Sequence, residues 1–165
     1  MKITSFASLV ILVLINFAGA QDTATATKPT VQAPLAQLPD VAAPKLGKDG
    51  EVYSAFVSSH EKFVKVAQEG SSELLLGDSI TAGWNGKKEI WDKAFAQYKP
   101  ANFGIGGDRT QHVLWRITNG ELEGIKPKAV VLMIGTNNSG NDSAEGIANG
   151  ITVIVNTIRE KQPQA

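Results

Sequence analysis

Residues 75–81 read Leu-Leu-Gly-Asp-Ser-Ile-Thr, an apolar run that breaks at Gly77 and leaves Ser79 at its carboxyl end. The run starts at Glu73, and Leu74 to Leu76 carry no polar alternation, so the pattern predicts a short buried strand over 73–76. A serine on a strand-to-helix turn holds its hydroxyl clear of the sheet, and the helix that follows favours negative charge at its start. On its own, a Gly-Asp-Ser triplet reads more readily as a turn or a helix N-cap. Its neighbours decide the matter.

Working outward, the flanking patterns alternate in period. From Glu51 the spacing is helical: Val52, Phe56, Phe63 and Val66 recur on one stripe, Val57 and Val64 widen it, and Gly70 ends it. Lys87 to Tyr98 is expected to be an amphipathic helix presenting Ile90, Trp91, Ala94 and Phe95, stopped by Pro100. A second strand covers Ala101 to Ile105. Gln111 to Ile117 is a further helix, closed by Asn119 and Gly120. Ala129 to Ile134 is apolar without alternation, as for a parallel strand buried on both faces. Ser143 to Lys161 closes the pattern as a helix carrying Ile147, Ile151, Ile154, Val155 and Ile158. Strands alternating with helices predict an α/β domain with a parallel sheet. Ligands in such sheets bind beyond the carboxyl ends of the strands. Ser79, the pair Gly106 and Gly107, and Asn137 all fall there.

Acyl transfer needs a nucleophile, a base and donors for the oxyanion. Ser79 has the position of a nucleophile. Gly106 and Gly107 lack a Cβ, so a substrate can approach their backbone closely. A dinucleotide loop counted from Gly104 would need glycine where Arg109 stands, and that reading fails. A plain structural turn stays open. The Asn137 carboxamide offers two N–H groups and no charge, against the alternative of an Asx-turn at a strand end. Asn137 also opens an N-x-[ST] sequon with Ser139, and a glycan there would block the site.

Three segments, 75–81, Asn-Phe-Gly-Ile-Gly-Gly-Asp at 102–108 and Gly-Thr-Asn-Asn at 135–138, together resemble the first three sequence blocks of the SGNH (GDSL-type) hydrolases. Residues 102–123 and 130–138 are most similar to the platelet-activating-factor acetylhydrolase-like branch, and the resemblance runs from Glu51 to the C-terminus. It implies a three-layer flavodoxin-like sandwich and a serine esterase of acetyl or short acyl groups on a lipid or carbohydrate ester. It also implies Ser79 as nucleophile, with the Gly107 N–H and the Asn137 amide as oxyanion donors. No cofactor or metal is implied, and the partner is a small acyl-ester substrate. The family places its base in a C-terminal D-x-x-H segment, and no Asp here has a His three positions later. The expectation is therefore a fold incomplete at its C-terminus and a truncated, weakly active or inactive copy. A ligand-binding module that keeps the pocket without the base is the rival. Of the two histidines, His60 is expected on a solvated helix face. His112, a turn inside its helix, is a poor candidate for the base.

Composition sets the outer limits. One domain fits in 165 residues, and the 16 basic and 16 acidic side chains balance with no basic run, which argues against nucleic acid. Cysteine is absent, excluding disulfides, thiolate metal sites and a lipid anchor through an N-terminal thioether. Lys2, the apolar run Phe6 to Phe17 and Ala18-Gly19-Ala20 read as a secretory signal cleaved after Ala20. The run of about 12 residues is short of the roughly 20 that span a bilayer, so a secreted or periplasmic product with no stable membrane insertion is expected. Residues 21–49, rich in Thr, Ala and Pro, are expected to be a disordered linker, with the esterase domain over 50–165. The acyl donor and the oligomeric state are not legible.

Overall fold

A computed structural model describes residues 37–70 and 73–165. The signal expected over 1–20, and the part of the expected linker before Gln37, lie outside the described residues.

Three parallel strands form the sheet, β1 (Glu73–Gly77), β2 (Pro100–Gly104) and β3 (Ala129–Met133), in the order β2-β1-β3. The register aligns Leu74 with Ala101 and Val130, and Leu76 with Phe103 and Leu132. Side chains alternate between faces along a strand, so these six residues share one face. Helices α1 (Ser54–Glu69), α4 (Thr110–Thr118) and α5 (Ala144–Lys161) supply the rest of that core. Ala67, Val113, Leu114, Ile117, Ile154 and Ile158 pack in one buried cluster with the sheet residues. Each end of α5 is specified locally. The Ser143 hydroxyl accepts from the Gly146 N–H, and Arg159 and Lys161 complement the negative C-terminal end.

Among the described residues the second face is covered at its carboxyl edge alone, and this is what sets the position of Ser79. The short helix α2 (Ser79–Ala82) and a 3₁₀ turn (Gly83–Gly86) lie on the ends of β1 and β2. A Cβ at Gly104 would fall 2.2 Å from the Ala82 nitrogen, and one at Gly77 2.2 Å from the Thr81 hydroxyl. Only glycine at both strand ends lets α2 come this close. The Asn102 side chain donates to the Thr81 carbonyl at 2.9 Å and fixes the approach from below.

Several expectations from sequence change here. The third strand is not buried on both faces: Val131 is 58% exposed and Met133 49%, because nothing among the described residues covers that side. The helix expected over Lys87 to Tyr98 is α3 (Lys88–Phe95) followed by a 3₁₀ turn (Ala96–Tyr98), with Ile90 56% exposed. Its aromatic residues pack on Trp84 rather than on the sheet, Phe95 meeting that ring edge-on at 5.7 Å. Residues 37–49, read as the end of a linker, form a strap laid along the domain. The Pro39 carbonyl accepts from the Thr110 hydroxyl at 2.7 Å, and the Ala43 N–H donates to the Gln111 carbonyl at 3.2 Å. A Cβ at Gly150 of α5 would stand 2.5 Å from the Pro39 oxygen, so that glycine makes room for the strap. Prolines here satisfy the rule against unpaired N–H groups in a segment that makes few ladder bonds.

Candidate active site

Ser79 is the first residue of α2 and is exposed. The turn before it is locked by Asp78, which is 1% exposed and whose Oδ1 accepts from the Ile80 N–H at 2.9 Å. This is the N-cap reading and the nucleophile reading at once: the cap holds the turn, and the turn presents the serine.

The loop after β2 meets it from the side. Ile105 to Asp108 form a turn closed by the Asp108 N–H on the Ile105 carbonyl at 3.2 Å, with Gly107 at φ 74°. A Cβ placed on Gly106 would be 3.9 Å from the Ser79 Cβ, so this loop packs directly against the serine. Asn137, after β3, ties the two loops together. Its amide nitrogen donates to the Asp108 carbonyl at 2.8 Å and to Asp78 Oδ2 at 3.3 Å. Ser79, Gly107 and Asn137 are thus brought together by bonds that run through their own neighbours.

Behind the loop lies a buried ionic chain. Asp108 is fully buried and takes Lys45 Nζ at 2.6 Å on one oxygen and Arg116 Nε at 3.0 Å on the other. Arg116 continues to Glu121 at 2.7 Å, and Glu121 to His60 Nδ1 at 3.0 Å. Burial pushes the Asp108 carboxyl above the usual carboxylate range, while Arg116 and Lys45 pull it down. His60 is therefore not the solvated residue expected: it is buried edge-on against Trp115, its ring 4.9 Å away.

His112 is occupied elsewhere. Arg109 stands at the N-cap of α4, and His112, at the third helical position, makes the N3 half of a capping box, its Nδ1 accepting the Arg109 N–H at 3.1 Å. The other ring nitrogen then carries the proton and donates to Gln37 at 3.2 Å. Burial, with Lys45, Arg109 and Arg116 nearby, holds this imidazole down at about 3. An imidazole with both nitrogens committed cannot take a proton from Ser79. Its unfolded counterpart gains a proton near 6.5, so stability from this group is complete above that value and is lost as pH falls towards 3. The slope is at most about 1.4 kcal/mol per pH unit. His112→Gln keeps a capping acceptor and removes the titration. Urea melts between pH 7 and pH 4 should show a shallower loss for the variant, and equal slopes would refute this account.

Sequence reasoning missed Lys45, Arg116, Glu121 and Asn138. Asn138 is buried, accepts the Thr110 N–H at 2.9 Å, and donates to Asp142 at 2.9 Å, serving structure rather than chemistry. The nearest available signal was Arg116, a single charged residue between Trp115 and Ile117 in an otherwise apolar stretch of α4, which marks burial with a partner. Among the described residues no group of three His, Asp or Glu is placed to hold a metal ion. No helix among them is long and apolar enough to cross a membrane.

Residues 75–165 match the GDSL-like Lipase/Acylhydrolase family. Over 111 residues the chain is 47% identical to the Platelet-activating factor acetylhydrolase IB subunit alpha1 of Bos taurus, covering 67% of this chain and 47% of that protein. The alpha2 subunit of Rattus norvegicus is 44% identical over 125 residues, covering 75% of this chain and 54% of its own length. The chain spans about half the length of the curated relatives it matches. A solved structure from Streptococcus pneumonia aligns on 67% of this chain and 53% of its own, at 21% identity and a TM-score of 0.48. That likeness is too loose to add to the fold, which rests on the sheet itself.

Proposed function

The chain belongs to the GDSL-like lipase/acylhydrolase family, and from that premise we propose that it carries the nucleophile and oxyanion loops of an exported serine ester hydrolase acting on acetyl or short acyl esters of a lipid or carbohydrate. The observation that carries the reading is Asn137, bonded both to the residue before Ser79 and to the residue after Gly107. Ser79 Oγ attacks the acyl carbon, the Gly107 N–H meets the oxygen that becomes negative, the Asn137 amide joins it by giving up its longer bond to Asp78 Oδ2, and the ester C–O bond breaks. The alcohol leaves with a proton, and water then releases the acyl group from Ser79.

Neither described histidine serves Ser79, so the base belongs to a His–Asp pair outside the described residues, encoded beyond residue 165. The relatives named above are acetylhydrolases of platelet-activating factor by name, which favours an acetyl group as the one removed. Export after Ala20 gives a mature chain starting at Gln21 with 15 basic and 16 acidic residues, a net charge of 15 − 16 = −1.

The reading frame past Ala165 tests this directly. It should encode D-x-x-H within about 60 codons, room for one or two further strands and a helix with their connections, and its product should hydrolyse p-nitrophenyl acetate. Residues 21–165 alone should not. Ready turnover by the shorter chain would refute the placement of the base. A ligand-binding module on the same fold is favoured by one observation, the engagement of both imidazoles elsewhere. Hydrolysis by the longer product would end that reading.

Asn137→Ala in the active protein should lower kcat by about 10²–10³-fold, the loss typical of one oxyanion donor. It should also cost on the order of 1–3 kcal/mol, because Asp108 and Asp78 lose a donor. Unchanged kcat with lowered stability would make Asn137 a tie between loops and nothing more.

A further inference from the structure

We propose that Lys45 is a positioning residue: it holds the Gly106–Gly107 peptide in one of its two orientations, so that the Gly107 N–H is turned to the pocket at Ser79. What that N–H does there rests on the esterase reading. The hold on the peptide does not.

A four-residue turn with positive φ at its third residue and not at its second is type II, and in the turn Ile105 to Asp108 Gly107 stands at 74° while Gly106 does not have positive φ. Types I and II differ by a half-rotation of the central peptide. Here the central peptide joins two glycines, so no side chain resists the rotation. What each side of the peptide meets must decide its orientation.

The carbonyl side meets a cation. Lys45 Nζ donates to the Gly106 oxygen at 2.8 Å while the same ammonium sits 2.6 Å from Asp108 Oδ1. Its side chain is only 12% exposed and lies over the Phe56 ring, with Nζ 5.5 Å from the centroid. A charge-assisted bond from a largely dehydrated ammonium is stronger than a neutral one. The peptide is trans, so its N–H points opposite to its carbonyl, away from Lys45. Ser79 borders the same loop through Gly106. The ammonium also draws electron density from the carbonyl, which makes the N–H a better donor.

Lys45 is itself held. Its carbonyl accepts the Tyr53 N–H at 2.8 Å, and the strap on either side is bonded to α4 at Thr110 and Gln111 and closed on itself by Gly47 and Glu51. The ammonium is thus delivered from a fixed backbone 61 residues away in sequence.

The alternative is that Lys45 only neutralises Asp108. The two are separated by the orientation of the Gly107 N–H vector in the labelled full chain, read by residual dipolar coupling. In Lys45→Met that coupling should change as the peptide averages over both turn types, and in Lys45→Arg it should be retained. A stable Lys45→Met protein with the wild-type coupling would overturn the proposal. Should Lys45→Met not fold, the wild type decides: the Lys45 ammonium should be protected from exchange and coupled through its hydrogen bond to the Gly106 carbonyl carbon. A freely exchanging ammonium would overturn the proposal equally. In the protein that carries its base, Lys45→Met should lower kcat roughly 10²-fold, as for an ångström of misplacement, with KM within about twofold and rescue by arginine. A rotated peptide with unchanged kcat would remove Gly107 from the oxyanion site while leaving its hold by Lys45 intact.

Discussion

Ser79→Ala abolishes turnover of p-nitrophenyl acetate by the active protein, with an expected loss on the order of 10⁶ in kcat. The size follows from how serine and base act as a unit: without the hydroxyl, the imidazole has nothing to activate. What remains, roughly 10³–10⁴ over water, comes from the oxyanion donors and binding. The loss is chemical rather than structural. Ser79 is exposed, and the turn is held by Asp78 through the Ile80 N–H, which alanine leaves in place. Stability should shift by no more than about 0.5 kcal/mol, as at other exposed positions. Activity above a few per cent of wild type in a pure alanine variant would end the assignment.

Arg116→Met should come close to unfolding the domain. Arg116 is fully buried between two carboxylates, Asp108 and Glu121, and methionine fills its volume without its charge. Removing one member of a buried ionic set costs about 3–5 kcal/mol, because the partners stay buried and unpaired. A domain of this size has only about 5–15 kcal/mol in hand. Asp108 has Lys45 left, but burial already pushes its carboxyl up, and losing the guanidinium drives it further towards the neutral acid. Among the described residues Glu121 then has only His60. Urea unfolding at neutral pH measures the effect, and a loss under about 1 kcal/mol would mean that water reaches Glu121 in the folded state.

The parts of this fold that sequence made legible are those specified within a few residues. Leu74 to Leu76 followed by Gly77 marks a strand and its end, and Gly70 marks the end of α1 through its positive φ and its bond to Ala67. The three loops at the sheet edge follow from strand order alone. Where reading failed, the cause lies far along the chain. His60 is buried because Glu121, 61 positions on, needs a donor. His112 is spent because Gln37 lies 75 positions back. Val131 looks like a core residue by pattern, and its exposure depends on what covers a whole sheet face. Pro39 and Pro44 advertise a linker, since proline disfavours regular structure whether or not the segment is packed. Lys45, directly after Pro44, carries no local mark at all.

The strap has a consequence in time. It leaves the ribosome before every element it fastens, and Pro39 waits 71 residues for the Thr110 hydroxyl. At bacterial to eukaryotic synthesis rates of about 5–20 residues per second, that interval is roughly 4–14 s. Throughout it, Lys45 is a solvated cation on an unanchored segment and the Gly106–Gly107 peptide does not yet exist. Closing so long a loop is slow and is rewarded only at the end. The nascent chain can therefore assemble β1, α2 and β2 with Ser79 already raised on its turn, while the hold on its oxyanion loop waits for the start of α4 to emerge.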